Sequence, residues 1–573
     1  TYNDALGATD QSACTYCPSN SFTDGERKTS LADCICNAGY FSRWSSGTLA
    51  CETCPVHANC SVPGATLEHL PLKEGHWRVD AQTTDVRRCQ GRADGSVCVG
   101  CSGADCAAAS ATGCKPGTEG PYCRLCAAAN RSTYFDSDEM ACLPCRASDG
   151  VAPLAVVGGV VLVACLLCVC RALRRRQRAS QQRRAHALSG LRRLLKRIQR
   201  HLMTKLKILF SFYQIVTKVG ETYSVTYPPS VQKTLDFFAF TNLELDGLGL
   251  PLACVRLNSF ESKLIFLMVL PFGLLLFFGV TLECRRRLAR RRVAEVKRMS
   301  AARESEGGVV DPDLISTLVP DAELLQVAFE KSLLPMALRV SFLAFPTVSS
   351  LAFKAFRCDD LDANDELAGP AVMQADLAVE CWDASGATTK EYERIQSIAY
   401  VAIALYPVGV PLSYIFLFHR ARRALWTEVP TPLSKALSFL VGDYGTNHFY
   451  WELVEVLKKL LLVGAMSVVV QGTITQLMLA FVTASCFQMA LMLARPFKKT
   501  ADDVIAISAG FALTMFLFFS IILKVQTLTE AIEDSLTGQL ARSFAIDPGA
   551  TATLLSVSTV GALALVGLMI VVE

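Results

Sequence analysis

Hydrophobic and polar positions fall into two regimes along the 573-residue chain. From 1 to 149 the apolar runs are short and are broken every few residues by Gly, Pro, Asn or Cys. From 152 onward long apolar runs alternate with charged segments. A hydrocarbon core about 30 Å thick needs about 20 mostly apolar helical residues to cross it. Nine runs approach that length: 152–170, 206–225, 263–283, 334–356, 395–418, 449–470, 473–494, 503–524 and 551–572. The three between Asn447 and Lys524 are joined by very short connections and form the centre of the expected bundle. The run at 206–225 is the weakest, because it carries Lys218 and Glu221, spaced to pair on one helix face. The expected fold is an all-α polytopic membrane protein of nine spans behind a small disulfide-rich extracellular domain at 1–149, with 206–573 as the bundle.

The connecting segments have their own patterns. Residues 171–205 place Leu188, Leu191, Leu194, Leu195, Ile198 and Leu202 at helical spacing among arginines, which predicts a basic amphipathic helix on the inner leaflet, or else a cytosolic linker helix. Tyr227-Pro228-Pro229 breaks the second run, and 226–260 reads as an interfacial or re-entrant helix followed by a Gly-rich turn. A polar piece at 300–320 and a short amphipathic helix at 321–332 precede the fourth run, which carries Arg339 and Pro346. Tyr406-Pro407 predicts a kink in the fifth run, and 424–446 forms an elbow ending at Gly442-Asp443-Tyr444-Gly445.

Composition agrees with a membrane protein: 51% of residues are hydrophobic and 19% charged, against about 25% charged in soluble domains. The net charge of +4 averages two compartments. Basic clusters at 174–200 and 284–298 abut apolar runs, which assigns them to the cytoplasmic side and argues against nucleic acid. Parity then puts the N-terminus outside and the C-terminus inside. The chain starts at Thr1 without a signal-like run, which implies a removed signal peptide or a missing N-terminus, and Glu573 directly follows an apolar run.

Sixteen of the 24 cysteines precede residue 151. Cys14/Cys17, Cys51/Cys54, Cys98/Cys101, Cys123/Cys126 and Cys142/Cys145 form CxxC pairs, with Cys34, Cys36, Cys60, Cys89, Cys106 and Cys114 between them. Zinc ribbons use such pairs. The irregular spacing, the sequons at Asn59 and Asn130 and the basic segment beyond the next span favour disulfides in an oxidising compartment, with connectivity open. Cys358 and Cys381 share a loop at 357–393 that parity places outside, so a disulfide between them is expected. Cys165, Cys168 and Cys170 near the inner end of the first run read as palmitoylation sites or as small apolar lining.

CETCPVHANCSVPGATLEHLPLKEGHWR (51–78) and CKPGTEGPYCRLC (114–126) resemble ephrin-receptor-like (GCC2/GCC3-type), EGF-like cysteine-rich repeats of protist and algal surface proteins. KILFSFYQIVTKV, FFAFTNLELDGLGLPLAC, FYWELVEVLKKLLLVG and ARPFKKTADDVIAISAG follow in the order seen in protist and algal TRP-like multi-pass proteins, distantly similar to the fungal TRP-like/flavin-carrier group. The resemblance spans roughly 50–525. It implies a cation-channel role, or a lipid- and calcium-linked membrane role. No TRP-type ankyrin repeats and no secure selectivity-filter motif are present.

Candidate chemistry is sparse. Glu452 and Glu455 lie one turn apart and offer oxygens to a cation such as calcium, or belong to a salt-bridge network, with Glu455 spaced to pair Lys459 and Arg495 or Lys498 nearby. Asp502 and Asp503 suit a helix N-terminus. Gly510 sits mid-span, as a gate or a close-packing point. Glu530, Glu533 and Asp534 read as an outer cation vestibule or a solvated loop. His448 is helix-spaced from Glu452, and no P-loop, HExxH, GxSxG or dinucleotide motif occurs, so no enzyme is expected. The leading expectation is a TRP-like cation channel subunit of a plasma or ciliary membrane with a sensing ectodomain. Its expected partners are the bilayer with anionic inner-leaflet lipids, an extracellular protein, and further copies or a second subunit. A non-conducting receptor or anchor, and a lipid or small-molecule transporter or scramblase, are the alternatives. A lipid-lined groove beside Glu452 and Lys458 would favour the last.

Overall fold

The computed structural model describes residues 1–3, 14–45, 47–89, 96–101, 113–127, 133–136, 139–145, 185–242, 259–305, 322–361, 371–383, 385–468, 472–532 and 548–572; of 185–201 and 322–332 only the backbone is considered. The run at 152–170 with its three cysteines, Asn130, Cys106, Glu533 and Asp534 lie outside the described residues. The chain divides into two units, one of Thr1–Leu154, Pro251–Phe260 and Phe356–Gln396, the other of Ala155–Leu250, Glu261–Ala355 and Ser397–Glu573.

In the disulfide-rich unit short strands pair locally because the sequence supplies turns more often than apolar runs. The ladders are β1 (Ser21–Thr23) with β2 (Cys34–Cys36), then β3 (Tyr40–Ser45) between β4 (Thr48–Thr53) and a parallel β5 (Ala65–Thr66). β6 (His76–Trp77) pairs with β7 (Arg87–Arg88), β8 (Thr118–Glu119) with β9 (Leu125–Cys126), and β10 (Thr133–Asp136) with β11 (Ala141–Pro144). Disulfides run Cys17–Cys34, Cys36–Cys51, Cys54–Cys60, Cys89–Cys98, Cys114–Cys123 and Cys126–Cys142. Cys101 and Cys145 are also disulfide-bonded. Cys14 is a free thiol, which corrects the expectation that every N-terminal cysteine is paired. The Cys17 of its CxxC bonds forward to Cys34, where the β1–β2 ladder sets the distance.

Packing in this unit is dense around few residues. Arg78 is fully buried, and its guanidinium donates to the carbonyls of Leu67, Glu68 and Ala81 at 2.7, 2.9 and 3.3 Å. Gly100 has φ +68°, and a Cβ there would meet the Leu72 carbonyl oxygen at 2.5 Å. The loop expected to belong to the bundle is instead part of this unit. It forms a three-stranded antiparallel sheet, β12 (Cys358–Asp360), β13 (Ala371–Met373) and β14 (Asp376–Trp382), with Cys358 bonded to Cys381. Leu361 and Val372 share one buried cluster with Trp77, Cys98, Cys114 and Cys123.

The helical unit begins with α1 (Ala185–Tyr223), one helix in which the expected amphipathic segment and the second run are continuous. Pro228 ends the connection and caps α2 (Pro229–Phe238), the short helix expected after the Pro-Pro break. Then come α3 (Phe260–Ser305), α4 (Ala322–Lys354), which absorbs the segment expected as a separate helix at 321–332, and α5 (Lys390–Ile403). A π turn at Ala404–Val408 leads into α6 (Gly409–Trp426). Pro407 cannot donate to the helical ladder, and the wider turn is how the predicted kink is accommodated. The elbow contains α7 (Pro432–Ala436) and α8 (Ser438–Val441). α9 (Trp451–Lys459) runs into a second π turn, Leu460–Gly464, and a 3-10 turn, Ala465–Ser467. α10 (Ile474–Ala494), α11 (Thr500–Ile532) and α12 (Pro548–Val572) complete the unit.

Six described helical stretches are long and apolar enough to cross a membrane: Phe260–Cys284, Leu333–Lys354, Lys390–Trp426, Ile474–Ala494, Thr500–Thr529 and Thr551–Leu568. Of the other three expected runs, 206–225 forms the C-terminal part of α1, with Lys207, Lys218 and Glu221 among its apolar residues, and 449–470 is the short helix interrupted by a π turn. The core of the unit gathers α1, α2, α10, α11 and α12 around Tyr213, Val216, Leu477, Phe516 and Leu555.

Candidate functional site

Along α1 the polar residues Thr204, Lys207, Ser211, Gln214, Lys218 and Glu221 recur every three or four positions, which puts them on one face. At about 1.5 Å per residue the stripe is roughly 25 Å long. Apolar surroundings give unpaired polar groups no water, so each needs an internal partner. The Thr204 hydroxyl donates to Asp443 Oδ1 at 2.7 Å. Lys207 Nζ donates to Glu452 Oε2 at 2.6 Å and to the Phe439 carbonyl at 3.2 Å, with Asp443 Oδ2 at 3.8 Å. The Tyr444 hydroxyl donates to the same Glu452 oxygen at 3.0 Å. Lys459 Nζ donates to Gln214 Oε1 at 2.9 Å, and Gln214 Nε2 to the Thr241 carbonyl at 3.1 Å. Asn242 Nδ2 donates to Thr217 Oγ1 at 2.7 Å. Lys218 pairs Glu221 at 2.9 Å, and Lys354 of α4 pairs the other Glu221 oxygen.

Glu452 is 1% exposed and Lys459 3% exposed, so both belong to the interior. Glu455 pairs Lys458 at 2.5 Å, not Lys459 as its spacing suggested, because Lys459 points to Gln214 on α1. The network expected to reach Arg495 or Lys498 is anchored instead by Lys207. Thus Glu452 and Glu455, the candidate cation ligands, each carry a lysine, and no group of three or more metal-ligating side chains occurs among the described residues. His448 lies 6.3 Å ring to ring from both Tyr450, tilted, and Trp451, edge-on. Asp503 Oδ1 accepts from the Phe497 amide at 3.0 Å, fixing the turn before α11. Gly510 is a close-packing point: a Cβ there would lie 2.0 Å from Gln488 Oε1 of α10. The side chain of Glu530, at the end of α11, lies outside the described residues.

Beside this network lies an open cavity of about 890 Å³. Lys207, Arg339, Lys498 and Lys499 line it together with Asp443 and Asp502, and Met203, Leu206, Phe210, Phe342 and Leu343 supply an apolar flank. Elements far apart in sequence build it: the inner part of α1, α4, the α8 turn, and the Arg495–Lys499 link, which Arg495 opens with φ +41°. The Lys498 amide donates to the Asp443 carbonyl at 3.0 Å and so holds that link against the elbow. Arg339 and Lys498 are exposed and lack a carboxylate within 4 Å among the described residues. The Arg339 guanidinium lies 5.7 Å from the Phe439 ring centroid. Four cations, an apolar flank and an open side suit the anionic headgroup and chain of an amphiphile. A smaller, partly open space of about 50 Å³ adjoins it, lined by Lys207, Ser211, Glu452, Glu455 and Lys458. The Ser211 hydroxyl is buried there without a partner among the described residues, and the space can hold a few waters.

Sequence reasoning reached Arg339, Lys498, Glu452 and the Gly442–Gly445 elbow separately. It did not single out Lys207 or Gln214. The signal for both was the three-four spacing of polar residues in an otherwise apolar helix. No family model, curated protein or solved structure matches this chain.

Proposed function

We propose that this chain is a TRP-like multi-pass membrane transport protein, a cation channel whose helical unit is controlled by an anionic lipid with its headgroup in the basic cavity. The observation that carries the reading is the cavity itself. Arg339 and Lys498 are held there without carboxylate partners among the described residues, beside the apolar side chains of Leu206, Phe210 and Leu343. On this reading the basic stretches at 174–200 and 284–298 face the cytoplasmic leaflet, where anionic lipids concentrate, and this supports an anionic ligand. On this reading the runs at 152–170, 206–225 and 449–470 complete nine spans, and the cysteine-rich domain is extracellular. The α1 stripe is not itself the cation path. Lys207, Lys218, Lys354, Lys458 and Lys459 outnumber the carboxylates Glu221, Asp443, Glu452 and Glu455 paired with them.

One observation favours a second reading. The cavity's open side and apolar flank also suit passage of a lipid, which is the transporter or scramblase alternative. The test is titration of nanodisc-embedded protein with a short-chain phosphoinositide, using Arg339→Gln and Lys498→Gln. Each substitution is expected to weaken binding about tenfold, the scale of one charge-assisted hydrogen bond. Unchanged affinity in the double variant would remove the site from consideration. Cation flux and lipid scrambling measured on the same proteoliposomes then separate the two readings.

A further inference from the structure

The loop sheet β12–β14 lies in the chain between α4 and α5 and is hydrogen-bonded to the first residue of α3. α4 ends at Lys354, two residues before the loop begins, and α5 starts at Lys390 within it. Phe260, the first residue of α3, donates its amide to Asp376 Oδ2 at 2.9 Å, at the β13–β14 turn. The start of α5 is fastened in turn, since the Thr389 hydroxyl donates to the Glu380 carbonyl of β14 and accepts from the Tyr392 amide at 3.3 Å.

The same sheet is gripped by the cysteine-rich segment more than 230 residues earlier. The Tyr122 hydroxyl donates to Asp359 Oδ2 at 2.5 Å. Arg87 Nη1 donates to Asp359 Oδ1 at 3.2 Å, and its Nη2 to the Asp360 carbonyl. Asp85 fixes the guanidinium from behind, at 2.8 Å on Nε and 2.7 Å on Nη2. Tyr122 and Cys123 both have left-handed backbones, φ +54° and +57°. Two such non-glycine residues in a row are costly and persist only where the surroundings over-determine them. Here the Cys114–Cys123 bond and the Trp77 ring, 5.2 Å away, do so. Burial and then the facing Asp359 push the Tyr122 hydroxyl up to about 12, so it remains a donor through neutral pH.

We propose that this sheet is the device, inside the disulfide-rich unit, through which load or ligand on the cysteine-rich segment reaches the first residues of α3 and α5, with Asp359 as its latch. The proposal does not depend on what the helical unit transports.

The experiment is hydrogen exchange on the full chain in nanodiscs, comparing Tyr122→Phe and Asp359→Asn with Asp383→Asn. Asp383 caps an exposed turn beyond the same sheet through Ser385 and Ala387 and touches no latch residue. Tyr122→Phe keeps the ring against Trp77, so folding is retained even if Asp359→Asn proves unstable. Both latch variants are expected to speed exchange about tenfold in 371–382 and also in 260–268 and 390–403, the scale of losing one hydrogen bond to a charged group. Asp383→Asn is expected to leave 260–268 unchanged. Faster exchange confined to 358–382, or no change at all, would overturn the proposal.

Discussion

The two units satisfy the same physical requirement by opposite means. In the disulfide-rich unit strands of two to seven residues bury little apolar surface, and covalent links hold what packing cannot. Apart from the partly buried pairs of Arg87 with Asp85 and Asp359, its charged pairs, such as Lys28–Asp33 and Arg43–Glu52, lie toward the surface, where each contributes little. In the helical unit the charges are inside, and every lysine of the α1 stripe has a partner. Cross-links there are unnecessary, because a helix satisfies its own backbone and side-chain pairs satisfy the rest. One unit is therefore vulnerable to redox conditions and the other to loss of single charges.

The sharpest way to break that contrast is to strand a charge in the helical unit. Glu452→Gln leaves Lys207 and its neighbours without their main counter-charge in the interior. Breaking a buried pair from one side costs about 3–5 kcal/mol. The variant is expected to lose thermal stability in detergent by that scale, while Lys207→Met combined with Glu452→Leu recovers most of it. Scanning fluorimetry of the three proteins checks this, and an additive double variant would show that the pair is not a unit.

Disulfide loss should come next in size and fall on the other unit alone. Cys114→Ser with Cys123→Ser removes a bond inside the cluster that contains Trp77 and Val372. The expected loss is about 2–5 kcal/mol. Limited proteolysis should then cut within 1–145 and 371–383 while α10 and α11 stay protected. Equal loss of protection in both units would mean that their stabilities are not separable.

The same contrast explains what could be read from sequence. Long apolar runs announce helices from local pattern alone, so the stretches at Phe260–Cys284 and Ile474–Ala494 needed no tertiary knowledge. Helix ends and mergers were less legible, because no local signal separates the end of an amphipathic helix from the start of a span in phase with it, as at Leu202–Leu206 in α1. In the cysteine-rich segment the pairing Cys17–Cys34, with Cys14 left over, depended on strand register, which cysteine spacing does not encode. The cavity was illegible for a related reason. Arg339 and Lys498 are 159 residues apart, and only the fold brings them to one wall.

The smallest expected effect lies in the disulfide-rich unit, where charge normally matters least. His57 and His76 stack with ring centroids 4.4 Å apart and planes 17° from parallel. The His76 Nδ1 lies 3.0 Å from the Glu74 carbonyl oxygen. Burial lowers the His76 pKa below its ordinary 6.5, the Glu74 and Lys73 backbones oppose that shift, and Arg88 and Lys73 add to it. A folded-state pKa below the unfolded one means that the unfolded chain binds more protons in the window between them. Stability from this site is thus complete above pH 6.5 and is lost as pH falls through the depressed folded value. Partial exposure of the ring keeps the effect small. Thermal melts of the wild type between pH 7.5 and 5 should therefore slope downward toward acid more steeply than those of His76→Asn, whose side chain cannot titrate there. Parallel slopes would place the unit's acid sensitivity in its carboxylates, among them Asp33, whose carboxyl the Thr29 and Ser30 amides hold below the usual range.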